Sequence, residues 1–391
     1  MNTREIEDRY TLATYPKFPF ALVRGVGSYV FDDSEKRYLD LYGGHAVSSL
    51  GHSHPRWVEA IAKQASTLDF YSNICYSPVR AEAAERVVRN SYSSMTGVYF
   101  CNSGAEANET ALKIARKLTK RPHVVAMLDG FHGRTIAALS VTGVQKMRDA
   151  FPESLDRLTR WVPMASLGAI EAVEPSQIAA VILEPILSLG GVRMGNPEYY
   201  QGLRRWCTRH GVALIFDEVQ TGNGRTGKWF VGQHWGVEPD IVTTAKAIGG
   251  GFPVGAVIAN AWVAADVKSG DQGSTFGGAP MAAAAVAATY RVIEEEGLVD
   301  HVARRSTRVI ARLRELMGPG RIRDVRGLGY LLGIECDLPG KEIQSRLLKE
   351  GVLVGISNHA NTIRLLPPLT VSDAEWDSFL ATFEKVLTSS N

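Results

Sequence analysis

The sequence predicts an α/β protein whose larger part is an open, mostly parallel β-sheet. From about residue 97 onward, short apolar runs alternate with segments of helical periodicity. The apolar runs are rich in Val, Ile and Leu and lack a period-2 alternation, which is typical of strands buried on both faces of a parallel sheet. We therefore expect a large α/β domain over residues 46–290.

Each predicted strand of this domain is an apolar run that ends at a polar or glycine-rich segment. The strand candidates are 98–100, 124–128, 179–183, 212–216, 241–242 and 254–259. A helix follows the first strand, because apolar residues repeat there at the spacing of one buried helical face: Ala107, Ala111, Ile114, Ala115 and Leu118. Another helix is predicted to begin near Pro197, since proline is favoured in the first helical turn.

The two ends of the chain predict a smaller α+β domain. Helical patterns cover 280–296 and 298–317, strand-like pieces follow at 330–335 and 363–366, and a closing helix begins near Asp373. Near the N-terminus, 29–31 and 38–40 form a predicted hairpin around a turn at 32–34. We expect residues 1–45 and 291–391 to build this domain together.

The composition is that of an ordinary globular protein with an excess of glycine. The net charge is +2, from 43 Lys and Arg against 41 Asp and Glu, which gives no sign of a nucleic-acid partner. Glycine contributes 38 of 391 residues, roughly 10% against a usual ~7%. Such an excess without low complexity indicates many sites where the backbone turns tightly or approaches another group closely.

The termini and the cysteines predict a cytoplasmic protein. The first ten residues are rich in charge and no apolar run follows them, so no secretory signal is expected. No apolar stretch is long enough to cross a membrane. The four cysteines, which are far apart and form no C-x-x-C pair, are expected to be reduced: Cys75, Cys101, Cys207 and Cys336.

Candidate binding residues follow the first two strands, at the edge where open α/β sheets bind ligands. Asn102-Ser103-Gly104-Ala105 leads into a helix, where backbone N–H groups and the helix dipole favour an anion. Ser103 could equally be a plain N-cap. Gly130-Phe131-His132-Gly133-Arg134 brings an aromatic ring, an imidazole and a guanidinium together, or forms a packed loop with a surface arginine.

Carboxylates follow the next two strands. Glu184 ends one apolar run and could simply pair with a neighbouring base. Asp217 and Glu218 end another, and an acid placed so deeply requires a compensating partner. His52-Ser53-His54 resembles half of a zinc site, but no further ligands stand at a suitable spacing. The sequence therefore predicts no metal site.

Lys246 is the candidate nucleophile. It follows the buried run Ile241-Val242 and precedes Gly249-Gly250-Gly251. A lysine with apolar neighbours either extends its charge to the surface or loses solvation, in which case its pKa falls and it can form a Schiff base. Farther on, Ser274-Thr275 stands beside Gly277-Gly278, in a turn that could bind phosphate.

In this order, the motifs resemble the class III aminotransferases (ornithine, acetylornithine and 4-aminobutyrate aminotransferases). These are pyridoxal-phosphate enzymes of fold type I, like aspartate aminotransferase. The resemblance covers nearly the whole chain, from Gly25-x-Gly27 to the motif Arg364-Leu-Leu-Pro-Pro368. Its most specific parts are Asp217-Glu-Val-Gln-Thr-Gly222, Lys246 in its glycine-rich setting, and Ser274-Thr-Phe-Gly-Gly278.

The resemblance implies a role for each candidate that could contact the cofactor. Lys246 holds pyridoxal phosphate and then moves the proton between Cα and C4′, while Asp217 pairs with the pyridine nitrogen and keeps the ring an electron sink. The resemblance further implies that Ser103, Gly104 and Ala105 bind the phosphate. It implies that Val219 and Phe131 pack on the two faces of the ring, and that Gln220 contacts the ring hydroxyl. Thr275 of the neighbouring subunit completes the phosphate site, which implies an obligate homodimer.

The same resemblance implies how substrates bind. Arg134 and Arg364 hold substrate carboxylates, for which the forked guanidinium suits better than an ammonium. Glu184 resembles the family's gate residue, which pairs with Arg364 while the amine donor is bound and releases it for glutamate or 2-oxoglutarate. One pocket then serves two unlike substrates in ping-pong order.

Phe131-His-Gly-Arg134-Thr together with Ser274-Thr275 is most similar to the acetylornithine aminotransferases, in which the Arg and the Ser contact the acylated substrate. The resemblance thus implies arginine biosynthesis, with N-acetylornithine as amine donor and 2-oxoglutarate as acceptor. Ornithine, succinylornithine, 4-aminobutyrate and carrier-linked lysine are alternative donors, and isomerisation or decarboxylation is an alternative reaction. One departure bears on the donor: the family usually has Gly-Ile-Ala-Val where this chain has Gly44-His45-Ala46-Val47, and we expect His45 at the substrate mouth.

Overall fold

The structure is a computed structural model that describes residues 2–151 and 157–388. The helices are α1 Thr3–Tyr10, α2 Gly43–Ala46, α3 Pro55–Thr67, α4 Pro78–Arg89, α5 Gly104–Thr119, α6 Ile136–Ser140, α7 Gln145–Arg148, α8 Leu167–Glu171, α9 Pro197–His210, α10 Ala261–Asp266, α11 Pro280–Glu295, α12 Leu298–Glu315, α13 Gly340–Lys349 and α14 Asp373–Thr388. Residue 1 and residues 389–391 of the predicted small domain, and 152–156 of the large one, lie outside the described residues.

The strands are β1 Leu22–Val26, β2 Tyr29–Asp32, β3 Arg37–Asp40, β4 Met95–Cys101, β5 His123–Met127, β6 Thr159–Val162, β7 Ile178–Leu183, β8 Ile186–Leu187, β9 Arg193–Met194, β10 Ala213–Asp217, β11 Ile241–Thr244, β12 Gly255–Asn260, β13 Ile322–Leu328, β14 Leu331–Cys336, β15 Val352–Leu353, β16 Gly355–Ile356 and β17 Thr362–Leu365. All six strands predicted for the central sheet are present within a few residues of their expected bounds. Strand β6 at one edge of that sheet was not predicted.

The central sheet has seven strands in the order β4-β12-β11-β10-β7-β5-β6. Six strands run in one direction, and only β12 is antiparallel to its neighbours β4 and β11. The prediction of a mostly parallel sheet is confirmed. Because the parallel strands end at the same edge, the polar segments that follow β4, β5, β7, β10 and β11 are brought together there.

The sheet is buried on both faces, which explains why its strands show no alternation. Val124 and Ala126 of β5 pack in the cluster that contains the apolar stripe of α5, whereas Val125 and Met127 pack in the cluster of α9. Successive strand residues point to opposite faces. Here both faces are covered by helices, so both sets of positions must be apolar.

The N-terminal hairpin and the C-terminal third contain two smaller sheets. Strands β1, β2 and β3 are joined by β15, which pairs in parallel with β3. Strands β13, β14, β17 and β16 form a second, antiparallel sheet. A core that includes residues of α12, α13 and α14 packs on these strands, with Trp376, Phe379 and Phe383 fully buried.

No helix among the described residues is long and apolar enough to span a membrane.

Candidate active site

A cavity of about 730 Å³ opens where the parallel strands end. Eleven of the thirteen candidate site residues line it: Ser103, Gly104, Ala105, Phe131, Arg134, Glu184, Asp217, Val219, Gln220, Lys246 and Arg364. Ser274 and Thr275 do not. A single concave site therefore collects residues from five strand ends and from the C-terminal sheet.

The start of α5 forms one wall of the cavity. Ser103 is the N-cap, and its Oγ accepts a hydrogen bond from Glu106 N at 3.2 Å, as the plain capping interpretation predicts. Other backbone N–H groups of the first turn still lack a partner within the helix, because the first N–H groups of a helix have no intrahelical acceptor. Gly104 and Ala105 line the cavity and present such groups to it. The helix start remains suited to an anion.

Asp217 is buried at the end of β10 and is held by three donors. Its Oδ2 accepts from Asn108 Nδ2 at 2.8 Å and lies 2.7 Å from His132 Nδ1, and its Oδ1 accepts from Val219 N at 3.1 Å. Thr243 Oγ1 donates in turn to Asn108 Oδ1 at 2.7 Å. The network fixes the carboxylate of Asp217, which lines the cavity.

Asn108 and His132 are site residues that the sequence analysis did not select. Asn108 is buried among the apolar stripe of α5, where an amide requires partners. A polar residue beside Ala107 on a predicted core face was the available signal. His132 stands in a glycine-flanked loop that had been singled out, but its partner becomes evident only when β5 and β10 are placed in one sheet.

Lys246 follows β11 and lines the same cavity. Its backbone has a φ of 49°, which is left-handed and costs a non-glycine residue about 1 kcal/mol. Its Nζ makes no hydrogen bond or ion pair with any described residue. Burial lowers the pKa of Lys246, and the charges of Asp217 and Glu184 oppose that shift. An amine in this setting has the features of a nucleophile.

Arg364, on β17, reaches the cavity from the C-terminal sheet and is buried. Its guanidinium donates to Ile356 O at 2.9 Å, Ser188 Oγ at 2.9 Å, Tyr42 Oη at 3.3 Å and Gln220 Oε1 at 3.4 Å. All four acceptors are neutral, so the positive charge of Arg364 is left without a bonded carboxylate among the described residues.

Glu184 does not form the expected ion pair with Arg364 in this structure. Its Oε1 accepts a hydrogen bond from Phe131 N at 2.8 Å instead. Burial and the neighbouring charge of Asp217 raise the pKa of Glu184 to about 7. The carboxyl group is therefore poised between its two protonation states near neutral pH.

Arg134 and the turn at residues 274–278 lie toward the surface. Arg134 is exposed, and its guanidinium lies 5.7 Å from the ring centre of Tyr15. Ser274 Oγ accepts from Asn102 Nδ2 at 3.1 Å and from Gly277 N at 3.0 Å. Thr275 is exposed and does not line the cavity of its own chain.

His52 lies outside the main cavity, and its Nε2 is hydrogen-bonded to Asp40 Oδ2 at 2.9 Å. Within the described ranges, no group of three or more His, Cys, Asp or Glu side chains is arranged to bind a metal ion.

The chain matches the family "Aminotransferase class-III" over residues 10–387. Curated relatives named acetylornithine aminotransferase include those of Methanocaldococcus jannaschii, 38% identical over 99% of this chain and 98% of the relative, and of Methanosarcina mazei, 42% identical over 97% and 94%. The relative from Methanopyrus kandleri is 41% identical over the full length of both chains.

Solved structures with the same fold include the ornithine aminotransferase of Toxoplasma gondii ME49, with a TM-score of 0.93 and 29% identity over 99% of this chain and 95% of the other. The omega transaminase of Pseudomonas jessenii in complex with PMP has a TM-score of 0.91 and 26% identity over 99% and 98%.

These similarities confirm the predicted family, fold type and cofactor class, while the roles of individual residues stay predictions. A family match over almost the entire chain and relatives of about 40% identity agree with a cavity that holds an unpaired lysine beside a buried aspartate. The chain belongs to the class III aminotransferases, which are fold-type I enzymes dependent on pyridoxal phosphate.

Proposed function

We propose that this enzyme transfers the terminal amino group of N-acetylornithine to 2-oxoglutarate, giving the semialdehyde and glutamate, as a step of arginine biosynthesis. The observation that carries the proposal is one cavity lined by an unpaired amine, Lys246, and by two arginines, Arg134 and Arg364. An amine is needed for the transfer chemistry, and two guanidiniums suit substrates that carry carboxylates. The curated relatives named acetylornithine aminotransferase support the choice of donor.

The residues present fit pyridoxal phosphate. When bound, this cofactor supplies a carbonyl that receives the amino group and a ring that takes up the electron pair released at the substrate carbon. Lys246 Nζ would hold it covalently, and the N–H groups at the start of α5, with Ser103, Gly104 and Ala105, would bind its phosphate. Two observations support this assignment: the amine of Lys246 has no partner among the described residues, and Gly104 and Ala105 line the cavity at the start of α5.

The other cofactor contacts are proposed from position in the cavity. Asp217, oriented by its three donors, would pair with the pyridine nitrogen through Oδ1. Val219 and Phe131 would pack on the two ring faces, and Gln220 would reach the ring hydroxyl. Once the amine of Lys246 is released by substrate, its Nζ would remove a proton from the substrate carbon and return it.

Substrate binding would depend on Arg134 and Arg364. Arg364 is buried and donates only to neutral groups, so an incoming carboxylate would supply the missing counter-charge. Glu184 would act as the gate by pairing with Arg364 while the amine donor is bound. The observed hydrogen bond of Glu184 to Phe131 N corresponds to the open arrangement, in which Arg364 is free for a dicarboxylate.

We also propose a homodimer whose sites are shared between subunits. Thr275 and Ser274 stand outside their own cavity, so their proposed contacts to phosphate and to substrate would be made across the interface. Beside them is an exposed apolar surface, formed by Phe70, Tyr71, Ile74, Tyr76 and Phe276, and we name it the aromatic patch. Exposed apolar patches of this kind mark interfaces.

Two organisational proposals accompany this function. The chain would divide into a large domain of residues 46–290 and a small one of 1–45 and 291–391, because the central sheet and the two smaller sheets use these segments. A cytoplasmic location is supported by four free cysteines, of which three are buried.

Replacing Lys246 by Ala is expected to abolish turnover, because the amine is lost. The fold should stay intact, because the Lys246 side chain makes no hydrogen bond or ion pair with the described residues. We expect a loss on the order of 1,000-fold or more in kcat. In the wild type, borohydride reduction followed by peptide mass spectrometry should place the cofactor mass on Lys246. The exposed Lys228→Ala is the matched control. A protein that stays colourless with pyridoxal phosphate, or full activity of Lys246→Ala, would refute the assignment.

A panel of amine donors with 2-oxoglutarate tests the proposed substrate. We expect kcat/KM for N-acetylornithine to exceed that for ornithine by about 10-fold or more, the usual value of an added complementary contact. Succinylornithine, 4-aminobutyrate and an N-acylated lysine complete the panel. If N-acetylornithine ranked among the poorest donors, another ω-amine would replace it. The presence of His45 at the cavity mouth makes succinylornithine the most informative comparison.

The buried carboxyl of Glu184 is expected to make stability depend on pH. The pKa of Glu184 rises from 4.5 to about 7 in the folded protein, so the folded state binds the proton more tightly than the unfolded state does. The resulting contribution to the free energy of unfolding is fully present below pH 4.5 and is lost as the pH rises through 7. Glu184→Gln stays neutral. The stability of Glu184→Gln relative to wild type should therefore increase between these pH values, by up to about 3 kcal/mol. Thermal midpoints across pH 4–8 measure this, with the exposed Glu59→Gln as control. A constant difference would contradict the prediction.

The aromatic patch predicts the oligomeric state. Ile74 is 84% exposed in one chain, and Ile74→Arg should dissociate the dimer because a charge would be buried at the interface. Light scattering should give the mass of two chains for the wild type and a lower mass for the variant. Met317→Arg, which alters an exposed apolar residue elsewhere, should stay dimeric. A single-chain mass for the wild type would overturn the proposal.

A further inference from the structure

A left-handed turn holds His45 at the mouth of the cavity. All four residues of Gly43–Ala46 have positive φ, between 54° and 68°. For His45 and Ala46 this costs about 1 kcal/mol each, and such strain persists where the surroundings impose it, most often at functional sites. Asp40 Oδ1 imposes it at one end by accepting from Tyr42 N and Gly43 N, at 3.0 and 2.9 Å.

The side chain of His45 is joined to Arg364 through Tyr42. Arg364 Nη2 lies 3.3 Å from Tyr42 Oη, and Tyr42 Oη lies 2.6 Å from His45 Nδ1. A guanidinium only donates, so Tyr42 Oη accepts from Arg364. The phenol proton is then free to be donated to His45 Nδ1. In this arrangement each of the two contacts, Arg364 to Tyr42 and Tyr42 to His45, has one donor and one acceptor.

The relay fixes the tautomer of His45. The pKa of His45 is lowered by burial and by the charges of Arg364 and Lys246, so the imidazole is neutral near pH 7. A neutral imidazole that accepts at Nδ1 carries its proton on Nε2. His45 Nε2 has no hydrogen-bond partner among the described residues, and the side chain lines the cavity. It is therefore a directed donor without an acceptor.

We propose that His45 is a substrate-binding residue, whose Nε2–H donates a hydrogen bond to an oxygen of the substrate carboxylate held by Arg364. The inference rests on the proposed function, because it assumes that a dicarboxylate such as 2-oxoglutarate binds at Arg364. Arg364 supplies the charge, Tyr42 orients both groups, and His45 adds a second donor at a fixed angle. Gln220 braces the turn from the other side, since its Nε2 donates to His45 O at 3.2 Å.

Glutarate tests this directly, because it has both carboxylates of 2-oxoglutarate and no oxo group that could accept an amine. We expect calorimetry on the holoenzyme to show a Kd that is on the order of 10-fold higher for His45→Leu than for wild type. His45→Gln keeps an N–H near the position of Nε2 and should bind within about threefold of wild type. Tyr42→Phe should be intermediate. His210→Leu, at the end of α9 and outside the cavity, is the matched control.

His45→Asn provides a second variant without the hydrogen bond, because asparagine tolerates left-handed backbone and is too short to reach the carboxylate. It should weaken glutarate binding as much as His45→Leu does. In steady-state kinetics, KM for 2-oxoglutarate should rise by the same factor, whereas kcat and the KM of the amine donor should change by less than about twofold.

Three calorimetric results would overturn the proposal: unchanged glutarate binding by His45→Leu and His45→Asn, binding by His45→Gln as weak as by His45→Leu, or no glutarate binding by the wild type. A loss confined to the amine donor would overturn it as well. If the wild type binds glutarate but transfers no amino group from any donor, the proposed function fails while the His45 contact is still decided by the calorimetry.

Discussion

The buried carboxylate of Asp217 is the constraint on which the rest of the site depends. A charge at the end of a fully buried strand is tolerated only when donors satisfy it. Its donors come from α5, from the loop after β5 and from its own strand end, and Thr243 on β11 supports the first of them. The side chain of Asp217 thus connects α5, the loop of residues 130–134 after β5 (the aromatic loop), and the ends of β10 and β11, where Asp217 and Lys246 lie. The relative positions of these elements follow from satisfying that charge.

The site also requires segments of backbone to approach one another closely, and this requirement explains the glycines where the site is most tightly packed. A Cβ on Gly255 would lie 2.4 Å from Ser103 O, and one on Gly133 would lie 2.7 Å from Ala105 Cβ. Any larger residue would push strand β12 or the aromatic loop away from the start of α5. Glycine therefore lets three segments converge on the helix start that is suited to an anion.

Much of this arrangement was accessible from the sequence because strand ends are local features. Apolar runs located the six predicted strands, and the rule that parallel strands end at one edge placed Glu184, Asp217 and Lys246 together. Contacts that depend on tertiary packing were not accessible. Asn108 was missed because one amide in a core stripe does not reveal its partner. The hydrogen bond that Glu184 accepts from Phe131 N was missed because it depends on how a loop packs. Strand β6 was missed because it is an edge strand of four residues, of which only Trp161 and Val162 are apolar.

The charges in the cavity account for the states of its titratable groups. Lys246, Arg134 and Arg364 outnumber the carboxylates of Asp217 and Glu184, and Glu184 is poised to be neutral. With this balance, burial lowers the pKa of Lys246, and burial together with Arg364 and Lys246 lowers that of His45. The cavity therefore holds more positive than negative charge, and no carboxylate of the described residues bonds to the guanidinium of Arg364. Burial is the main cause of the lowered pKa of Lys246, and Arg364 adds to it, whereas Asp217 and Glu184 oppose it. The guanidinium charges that line the cavity favour anionic ligands.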